Sequence, residues 1–569
     1  MEVWFNMGAY DDRPWLSQYP ANRRGLTDTD DAVTTILDAF ARLTVQGDKP
    51  LLHYFDATLT AAEIDVQSDA FAVALQDAGF QPGERAVVYL QNIPQFVIAQ
   101  LAVWKAGGIV VSANPMYRGK ELGEILSDSG AAVLITLRSL YRDVASTIPE
   151  TGAVRTIVTT SELEYQSRSD ATLAGVEAPP CLDTSDMLEL ISAHRGQVPP
   201  RPGIVPGDVA VLTYTSGTTG PPKGAMTTHA NLLFSARVYR DWIGIGPDDV
   251  ILGVAPMFHV TGIVGHSALA LLTGAPLILT YRFDAQDTVE AIAAHGATFT
   301  VGSITVFIAL MNAPNASGEA LASLNKIYSG GAPIPPATLA AFEERFGSTI
   351  HNIYGLTETT SPAIAVPLGS RAPHDEASGT SAVGVPVFDT VVRVIDDDGA
   401  ELPAGEPGEL LIEGPQVVVG YWDKPEATAE ALTPRGLRTG DIGFMNADGW
   451  FFLVDRKKDQ INASGFKVWP REVEDVLYEL PAVREAAVVG VPDAYRGETV
   501  KAFVSFRPGQ SATREEIVAH AKARLAAYKV PREVEILDDI PKTATGKLLR
   551  RQLRDLSATA ITTKGSETP

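Results

Sequence analysis

The hydrophobic pattern of residues 50–150 alternates between helical and strand periodicity. Apolar residues recur at helical spacing over residues 61–78, whereas residues 85–90 form a short, largely apolar run that predicts a buried strand. The alternation continues with helices predicted over 94–106 and 121–128 and strands over 108–111 and 132–136. Strands that alternate with helices of this length predict parallel α/β structure.

The pattern changes toward the C-terminus. Residues 160–205 are irregular and rich in Pro and Ser, which indicates a surface excursion, and the α/β pattern resumes near residue 209. From 384 to 455, short apolar runs separated by turn residues predict antiparallel strands in a small barrel-like unit. The sequence therefore predicts a multi-domain α/β protein, with a large N-terminal domain of α/β subdomains plus this β unit, and a small α+β C-terminal domain.

Composition narrows the classes of protein that this pattern allows. The chain has 569 residues, which is too long for one ordinary core, and 45% of them are hydrophobic. Lys plus Arg total 46 against 69 Asp plus Glu, a net charge of −23 that repels phosphodiester backbones and excludes general nucleic-acid binding. We expect neither a secretory leader nor a transmembrane segment, and therefore a cytoplasmic protein; peripheral membrane contact and a homodimer stay open.

Several common sites are absent from the sequence. Cys181 is the sole cysteine, so there is no intrachain disulfide and no cysteine-based zinc site, and its place in a Pro-rich stretch favours an unreactive thiol. Gly244 and Gly246 are followed by Asp249 where a dinucleotide-binding fingerprint needs glycine. The P-loop, the nucleophile elbow and the zincin motif do not occur either. These absences exclude the usual dehydrogenase, P-loop ATPase, α/β-hydrolase and zincin signatures.

One segment points to phosphate binding. Residues 213–224 read TYTSGTTGPPKG and follow a predicted buried strand. Glycines let successive backbone N–H groups turn toward one point, while hydroxyls add donors and a lysine adds positive charge, which is the chemistry that holds a polyphosphate. A flexible linker is the alternative, but linkers rarely end in Pro-Pro-Lys-Gly after an apolar strand. The predicted ligands are Thr215, Ser216, Gly217, Thr218, Thr219, Gly220 and Lys223.

This loop resembles the signature loop of the adenylate-forming superfamily, which includes acyl-CoA synthetases, peptide-synthetase adenylation domains and beetle-type luciferases. Further segments are similar to the other motifs of that superfamily and follow in the same order. They are residues 255–262 (APMFHVTG), 329–333 (SGGAP), 354–359 (YGLTET), 439–441 (TGD), 455–459 (DRKKD) and 541–547 (PKTATGK). The resemblance covers nearly the whole chain.

The resemblance implies a two-step reaction in which a carboxylate and ATP give an acyl-adenylate, and coenzyme A then displaces AMP. It implies Lys547 as the lysine between the carboxylate and the α-phosphate, and Glu358, with Thr215, as ligands of Mg²⁺. Glu358 and His259 join Lys547 as the implied catalytic residues. The other implied nucleotide-binding residues are Gly331, Ala332, Pro333, Tyr354, Gly355, Thr357, Asp441 and Arg456. Buried packing remains the alternative for Tyr354.

For the acid and the thiol, the resemblance implies two further groups of residues. His259, Val260, Gly302 and Gly331 are expected at the acyl pocket, although a histidine on an apolar segment is often a core residue. Gly465, Phe466 and Lys467 are expected along the channel of coenzyme A. Lys458 matches a hinge, so that an N-terminal AMP-binding domain over 1–456 is joined at 457–458 to a mobile C-terminal domain over 459–569.

The sequence around residues 110–117 (VVSANPMY) and 454–459 (VDRKKD) is most similar to the bacterial medium- and long-chain fatty acyl-CoA synthetases. Aryl-CoA ligases of the coumarate or benzoate type share much of this sequence and remain an alternative, as does an adenylating enzyme with a non-CoA acceptor. A relative that binds without turnover is disfavoured because Lys547 and Glu358 are both present.

Overall fold

The computed structural model describes residues 10–557 with internal gaps. The gaps are residues 21–22, 28–31, 46, 150–151, 168–172, 174, 201, 216–221, 332–333, 335, 376–379, 464–465, 494–496, 543–547 and 551. The side chains of residues 458, 466, 467 and 497 also lie outside the description.

The strands are numbered in chain order. They are β1 (Pro50–Tyr54), β2 (Ala57–Thr60), β3 (Arg85–Tyr89), β4 (Ile109–Ser112), β5 (Val133–Leu137), β6 (Thr156–Thr160), β7 (Ser185–Asp186), β8 (Val209–Thr215), β9 (Lys223–Thr228), β10 (Ile251–Leu252), β11 (Leu277–Leu279), β12 (Phe299–Gly302), β13 (Lys326–Ser329), β14 (Ile350–Leu356), β15 (Ser361–Ala365), β16 (His374–Asp375), β17 (Thr380–Ser381), β18 (Val385–Pro386), β19 (Val391–Ile395), β20 (Gly408–Glu413), β21 (Leu432–Thr433), β22 (Gly436–Met445), β23 (Phe451–Arg456), β24 (Ile461–Ala463), β25 (Phe466–Val468), β26 (Val483–Asp493), β27 (Gly497–Phe506) and β28 (Glu533–Ile536).

The α-helices are numbered in the same way. They are α1 (Ile36–Thr44), α2 (Ala61–Asp77), α3 (Pro94–Lys105), α4 (Gly119–Ser129), α5 (Arg138–Asp143), α6 (Met187–Ala193), α7 (His229–Ile243), α8 (Val260–Gly262), α9 (Leu269–Thr273), α10 (Ala285–His295), α11 (Ile304–Asn312), α12 (Pro336–Phe346), α13 (Pro425–Ala431), α14 (Pro470–Tyr478) and α15 (Arg514–Lys522). A π-helical turn, Ile263–Ala268, joins α8 to α9.

Two mainly parallel sheets form the large N-terminal part. Sheet A has the strand order β18-β15-β14-β13-β12-β10-β11-β1-β2, and sheet B has the order β7-β6-β5-β3-β4-β8-β9. The central strands of both sheets are parallel, whereas β9 returns antiparallel to β8 and β15 returns antiparallel to β14. The predicted α/β class is thus confirmed, and the carboxyl ends of parallel strands define one edge of each sheet.

Local sequence explains why the helices begin and end where they do. Thr60 caps α2, accepting from the backbone N–H of Glu63, whose carboxylate accepts from the backbone N–H of Thr60. Thr228 and Asn231 form the same reciprocal arrangement at the start of α7. Gly244 ends α7 with φ 71°, a left-handed conformation that glycine adopts without a steric cost. These signals place the helices within a few residues of the sequence prediction.

The β unit and the C-terminal unit follow sheet A. Sheet C is antiparallel, with the order β19-β20-β22-β21 and with β23 on β22. Sheet D has the order β25-β24-β27-β26, with β28 parallel to β27 and α14 and α15 beside it. The apolar cores around sheet D consist of residues beyond 460, including Val473, Val488 and Leu553. The structure therefore has a large N-terminal domain and a small α+β C-terminal domain, as predicted.

One expectation from the sequence was too simple. The stretch 160–205, expected to be an irregular excursion, contains β7 and α6, and β7 extends sheet B by pairing in parallel with β6. Two-residue strands carry too short a pattern to detect, and Asp186 caps α6 by accepting from the N–H groups of Leu188 and Glu189. Across the described part of the chain, no helix is both long and apolar enough to span a bilayer.

Candidate active site

The predicted site residues of sheet A gather at the carboxyl ends of its parallel strands. Gly302 ends β12 and pairs in register with Ser329, the last residue of β13. The next residue, Gly330, donates its N–H to the carbonyl of Gly302 over 3.0 Å. A Cβ on Gly330 would lie 2.7 Å from the carbonyl oxygen of Ile353, so glycine is required for this close approach. The predicted acyl residue Gly302 and the 329–333 segment, which carries predicted nucleotide-binding residues, are therefore adjacent.

The turn that carries Glu358 is under backbone constraint. Glu358 lies in the 3₁₀ turn Thr357–Thr359 between β14 and β15, and the two residues after this turn, Thr360 and Ser361, have φ values of 46° and 80°. A Cβ on Gly355 would lie 1.7 Å from the carbonyl oxygen of Ser361, so only glycine fits there. Left-handed backbone at non-glycine residues costs about 1–3 kcal/mol each and clusters at functional sites. The Tyr-Gly-Leu-Thr-Glu sequence thus builds a sharp turn that presents Glu358.

Tyr421 connects this turn to the hairpin of β8 and β9, which carries the predicted phosphate loop. Its hydroxyl donates to Oε1 of Glu358 over 2.6 Å, and the backbone N–H of Val418 donates to the carbonyl of Glu358 over 3.0 Å. The ammonium of Lys223 lies 5.3 Å from the centre of the Tyr421 ring, a cation–π contact. Burial, followed by the negative charge of Glu358, raises the pKa of Tyr421 far above its usual value, so the hydroxyl stays a donor.

The hairpin of β8 and β9 holds the described ends of the phosphate loop. Thr215 and Lys223 face each other across the hairpin, and the hydroxyl of Thr215 donates to the carbonyl of Lys223 over 3.4 Å. The segment around Tyr421 is hydrogen-bonded to this hairpin, because Trp422 donates its N–H to the carbonyl of Gly224 over 2.8 Å. Hydrogen bonds and the contacts of Tyr421 therefore join the segments that carry Thr215, Lys223 and Glu358.

The donor set around Glu358 suits Mg²⁺ that also binds ATP phosphates. Mg²⁺ in nucleotide enzymes keeps several waters and uses only one or two carboxylates together with substrate phosphates. Within the described ranges, no group of three or more His, Cys, Asp or Glu forms a cage that could hold a metal by itself. The Glu358 carboxylate is oriented by Tyr421 next to the β8–β9 hairpin. One carboxylate of this kind fits Mg²⁺ that binds together with the phosphates of ATP.

Asp441, Arg456 and Tyr354 form a second cluster between sheets A and C. Asp441 and Arg456 are paired residues on β22 and β23, and the Arg456 Nε atom lies 3.1 Å from Oδ1 of Asp441. The hydroxyl of Tyr354 donates to the other carboxylate oxygen over 2.8 Å. The charge of Asp441 raises the pKa of Arg456, and burial, then Asp441, raises that of Tyr354. The cluster places a buried carboxylate beside a half-exposed guanidinium.

His259 caps a short helix that begins at Val260. The His259 N–H donates to the carbonyl of Pro256 over 3.0 Å, and its Nδ1 accepts from the N–H of Thr261 over 3.3 Å. The π-helical turn that follows contains His266, which is fully buried. Burial lowers the pKa of His266 to about 4, so its imidazole is neutral at physiological pH. A π-helical turn of this kind is common at functional sites.

Several predicted residues lie outside the described residues or are described only by their backbone. The first group contains Ser216, Gly217, Thr218, Thr219, Gly220, Ala332, Pro333, Gly465 and Lys547. Lys458 lies in the 3₁₀ turn Lys457–Asp459 between sheets C and D, and Phe466 and Lys467 lie in β25, but their side chains are not described. The roles of these residues stay predictions.

The predicted hinge is surrounded by buried charges. Arg550 donates from Nη2 to both carboxylate oxygens of Glu474 (2.9 and 2.8 Å), and its Nη1 lies 3.5 Å from Asp459 and 3.8 Å from Asp455. The Asp455 carboxylate accepts from the N–H of Arg456 over 2.7 Å and from the N–H of Arg471 over 3.0 Å. Burial raises the pKa of Asp455 to about 6, although Arg550 acts against this rise. The C-terminal unit therefore meets sheet C through a desolvated ionic cluster.

This raised pKa predicts a pH-dependent stability. The folded pKa of Asp455, about 6, exceeds the unfolded value of about 3.9, so the folded state binds the proton more tightly. Stability from this group is greatest below about pH 4 and is lost as pH rises to about 6. The unfolding free energy of Asp455→Asn minus that of the wild type, measured by urea unfolding, is expected to increase from pH 4.5 to pH 7. The exposed Asp448→Asn serves as control. An identical stability difference at both pH values would contradict the shifted pKa.

Sequence reasoning missed Tyr421 because no motif marks it. Tyr421 is 63 positions from Glu358, and a Gly-Tyr-Trp segment after an apolar run reads as ordinary packing. The signal available in the sequence was the glycine before Tyr421; in the structure this residue, Gly420, has a φ of 151°, which glycine adopts readily.

Comparison with known proteins shows which families the sequence matches. Residues 39–422 match the AMP-binding enzyme family, and residues 472–547 match the AMP-binding enzyme C-terminal domain. A long-chain-fatty-acid–CoA ligase of Bacillus subtilis (strain 168) is 36% identical over 556 residues, which cover 95% of this chain and 97% of the relative. A feruloyl-CoA synthase of an Amycolatopsis species is 35% identical over 497 residues, 87% of this chain and 93% of the relative.

Solved structures show the same fold. An anthranilate CoA ligase in complex with anthranoyl-AMP superposes with a TM-score of 0.83 at 27% identity, covering 93% of this chain and 98% of that chain. The superposition therefore includes both the large and the small domain.

Proposed function

The chain belongs to the AMP-binding enzyme family as an acyl-CoA synthetase, and we propose that the acid it activates is a medium- or long-chain fatty acid. ATP and coenzyme A are its co-substrates. The observation that carries the choice of acid is the similarity, over nearly the full length, to long-chain-fatty-acid–CoA ligases. The adjacency of Gly302 to the Gly330 loop supports one cleft for acid and nucleotide.

In the first half-reaction, a carboxylate oxygen of the acid attacks the α-phosphorus of ATP and pyrophosphate leaves. The N–H groups and hydroxyls of the 213–224 loop, with the Lys223 ammonium, are proposed to bind the phosphates. Glu358 and Thr215 are proposed to hold Mg²⁺, which supplies charge neutralisation at the phosphates. Lys547 is proposed to reach the oxygens between the acid and the α-phosphate, where negative charge is shared as the new bond forms.

The adenosine half of ATP is proposed to lie between the 331–333 loop and Tyr354. Gly331 has a φ of 80°, and the preceding Gly330 lies against the backbone of Ile353, the residue before Tyr354. Tyr354 offers an aromatic ring for stacking. Asp441 accepts well from ribose hydroxyls, and Arg456 is a donor on the same side. In the structure these groups are bonded to one another, so we propose that ribose exchanges with contacts already formed.

In the second half-reaction, the thiol of coenzyme A attacks the acyl carbonyl and AMP leaves. We propose that the C-terminal domain, residues 459–569, rotates about residues 457–458 between the two steps, so that Lys547 withdraws and the 465–467 segment meets the thiol. The position of Lys458 in a short 3₁₀ turn between two sheets supports this proposal, because a hinge needs a few residues outside regular strands.

A panel of acids in the ATP–pyrophosphate exchange assay tests the proposed substrate. Exchange is expected to be fastest with saturated fatty acids of medium or long chain and slower with ferulate, coumarate, benzoate and anthranilate. Aryl acids are the second candidate because the feruloyl-CoA synthase is also 35% identical. Faster exchange with an aryl acid would overturn the fatty-acid proposal and leave the family assignment intact.

The proposed ribose site predicts a selective effect of Asp441→Asn. The change removes a charge that pairs with Arg456 and weakens a charge-assisted hydrogen bond, worth about 1.5–3 kcal/mol. The KM for ATP is therefore expected to rise about 10- to 100-fold, while the KM for the acid changes little. Pyrophosphate exchange at varied ATP measures this effect, and Asp448→Asn, in an exposed turn of the same sheet, serves as control. Equal changes in both KM values would argue against a ribose contact.

A further inference from the structure

Asn92 hydrogen-bonds the loop of residues 253–257, which precedes His259, at the place where sheets A and B meet. Asn92 lies between β3 and α3 and is 8% exposed. Its backbone N–H donates to the carbonyl of Tyr281 over 3.1 Å, and the N–H of Tyr281 donates back to the carbonyl of Asn92 over 3.1 Å. This isolated bridge joins the strand-end loops of sheet B and sheet A.

The side chain of Asn92 is occupied by the backbone of residues 253–257. Its Nδ2 donates to the carbonyls of Gly253 over 2.9 Å and Ala255 over 3.0 Å, and its Oδ1 accepts from the N–H of Met257 over 2.8 Å. Backbone groups of a buried loop need partners when no strand supplies them. One amide therefore provides three of the hydrogen bonds that fix this loop.

The fixed loop lies against Gly302 and against Gly262, which ends the short helix capped by His259. A Cβ on Gly302 would lie 2.9 Å from Cγ2 of Val254, and a Cβ on Gly262 would lie 2.2 Å from the carbonyl oxygen of Pro256. The N–H of His259 donates to that same carbonyl oxygen. A displacement of residues 253–257 is therefore expected to shift His259 and the wall next to Gly302 together, and to leave the Asp441–Arg456 pair and the β8–β9 hairpin in place.

We infer that Asn92 is a positioning residue for acid recognition, acting through residues 253–257 on His259 and Gly302. The inference rests on the proposed acyl role of those two residues. Asn92→Ala removes all three side-chain hydrogen bonds. Asn92→Asp keeps the shape and the acceptor for Met257 but removes both donors and sets a carboxylate against two carbonyl oxygens.

Hydrogen–deuterium exchange tests the positioning itself and needs no substrate. In Asn92→Ala, a peptide covering residues 254–260 is expected to exchange at least about tenfold faster, because the buried N–H of Met257 loses its acceptor and the loop opens more often. The control is Leu75→Ala, a cavity variant on α2, where the residue is 1% exposed, which lowers global stability without contacting this loop. Unchanged exchange at 254–260 in Asn92→Ala would overturn the inference, as would an equal increase in the control.

Kinetics test the consequence for the acid. Both Asn92 variants are expected to raise the KM for the preferred acid of the panel about tenfold, with the KM for ATP within about twofold of wild type and with altered preference between chain lengths. Equal rises in both KM values, or an unchanged KM for the acid, would overturn the inference. If the wild type activates no fatty acid, the proposed substrate fails, while the exchange experiment still decides whether Asn92 holds the loop.

Discussion

Replacement of Lys547 by alanine is expected to lower the rate of acyl-adenylate formation about 10²- to 10³-fold. The ammonium is proposed to stabilise charge that develops between the attacking carboxylate and the α-phosphate, and an alanine leaves that charge unscreened. Thioester formation from supplied acyl-adenylate is expected to stay near the wild-type rate, because Lys547 is proposed to leave the site before the thiol attacks. The two half-reactions are measured separately, by pyrophosphate exchange and by release of AMP from acyl-adenylate with coenzyme A.

The control for Lys547→Ala is Lys522→Ala, which removes an exposed lysine from α15 in the same domain. This control is expected to retain both half-reactions. Equal loss of both half-reactions in Lys547→Ala would contradict the rotation of the C-terminal domain, because one static position of the lysine would then serve both steps.

The second large effect is expected from Glu358→Gln. The amide keeps the size of the side chain and still accepts from Tyr421, but it removes the only negative charge proposed to hold Mg²⁺. Adenylation is expected to fall about 100-fold or more, since metal stabilisation of phosphoryl charge amounts to several kcal/mol. The Mg²⁺ concentration for half-maximal exchange is expected to rise in the same variant. Pyrophosphate exchange over a Mg²⁺ titration measures both quantities.

Glu413→Gln supplies the matched control, because Glu413 is a 62% exposed side chain on β20 whose nearest cation lies 4.0 Å away. It is expected to leave the Mg²⁺ dependence unchanged. A Glu358→Gln enzyme with wild-type rate and wild-type Mg²⁺ dependence would remove Glu358 from the metal site and reduce its role to the hydrogen bond with Tyr421.

The secondary structure was largely predictable, because long periodic segments carry their own signal. Helix α2 was predicted to end one residue beyond Asp77, and strand β5 was displaced by one residue. The order of strands within the sheets was not predictable, because β1 pairs with β11 across more than 200 positions of sequence. Pairings of that range depend on tertiary packing and leave no local pattern.

The candidate site shows the same limit. Motif residues such as Gly355 could be found because their spacing is fixed by a turn that only glycine permits. Tyr421 and Asn92 could not, since each acts on a segment far away in sequence through one side chain and neither belongs to a recognisable spacing. The strongly acidic chain does place basic groups at this site, with Lys223 against Tyr421 and Arg456 against Asp441.

The most direct test of the central claim follows the oxygen of the acid. The enzyme is incubated with a fatty acid labelled with ¹⁸O in its carboxylate, together with ATP, Mg²⁺ and coenzyme A, and the products are analysed by mass spectrometry. Attack of the carboxylate on the α-phosphorus, followed by thiolysis, predicts acyl-CoA and AMP in equal amounts, with one ¹⁸O in the phosphate of each AMP. Label in inorganic phosphate together with ADP, or thioester formed with unlabelled AMP, would contradict an acyl-adenylate intermediate.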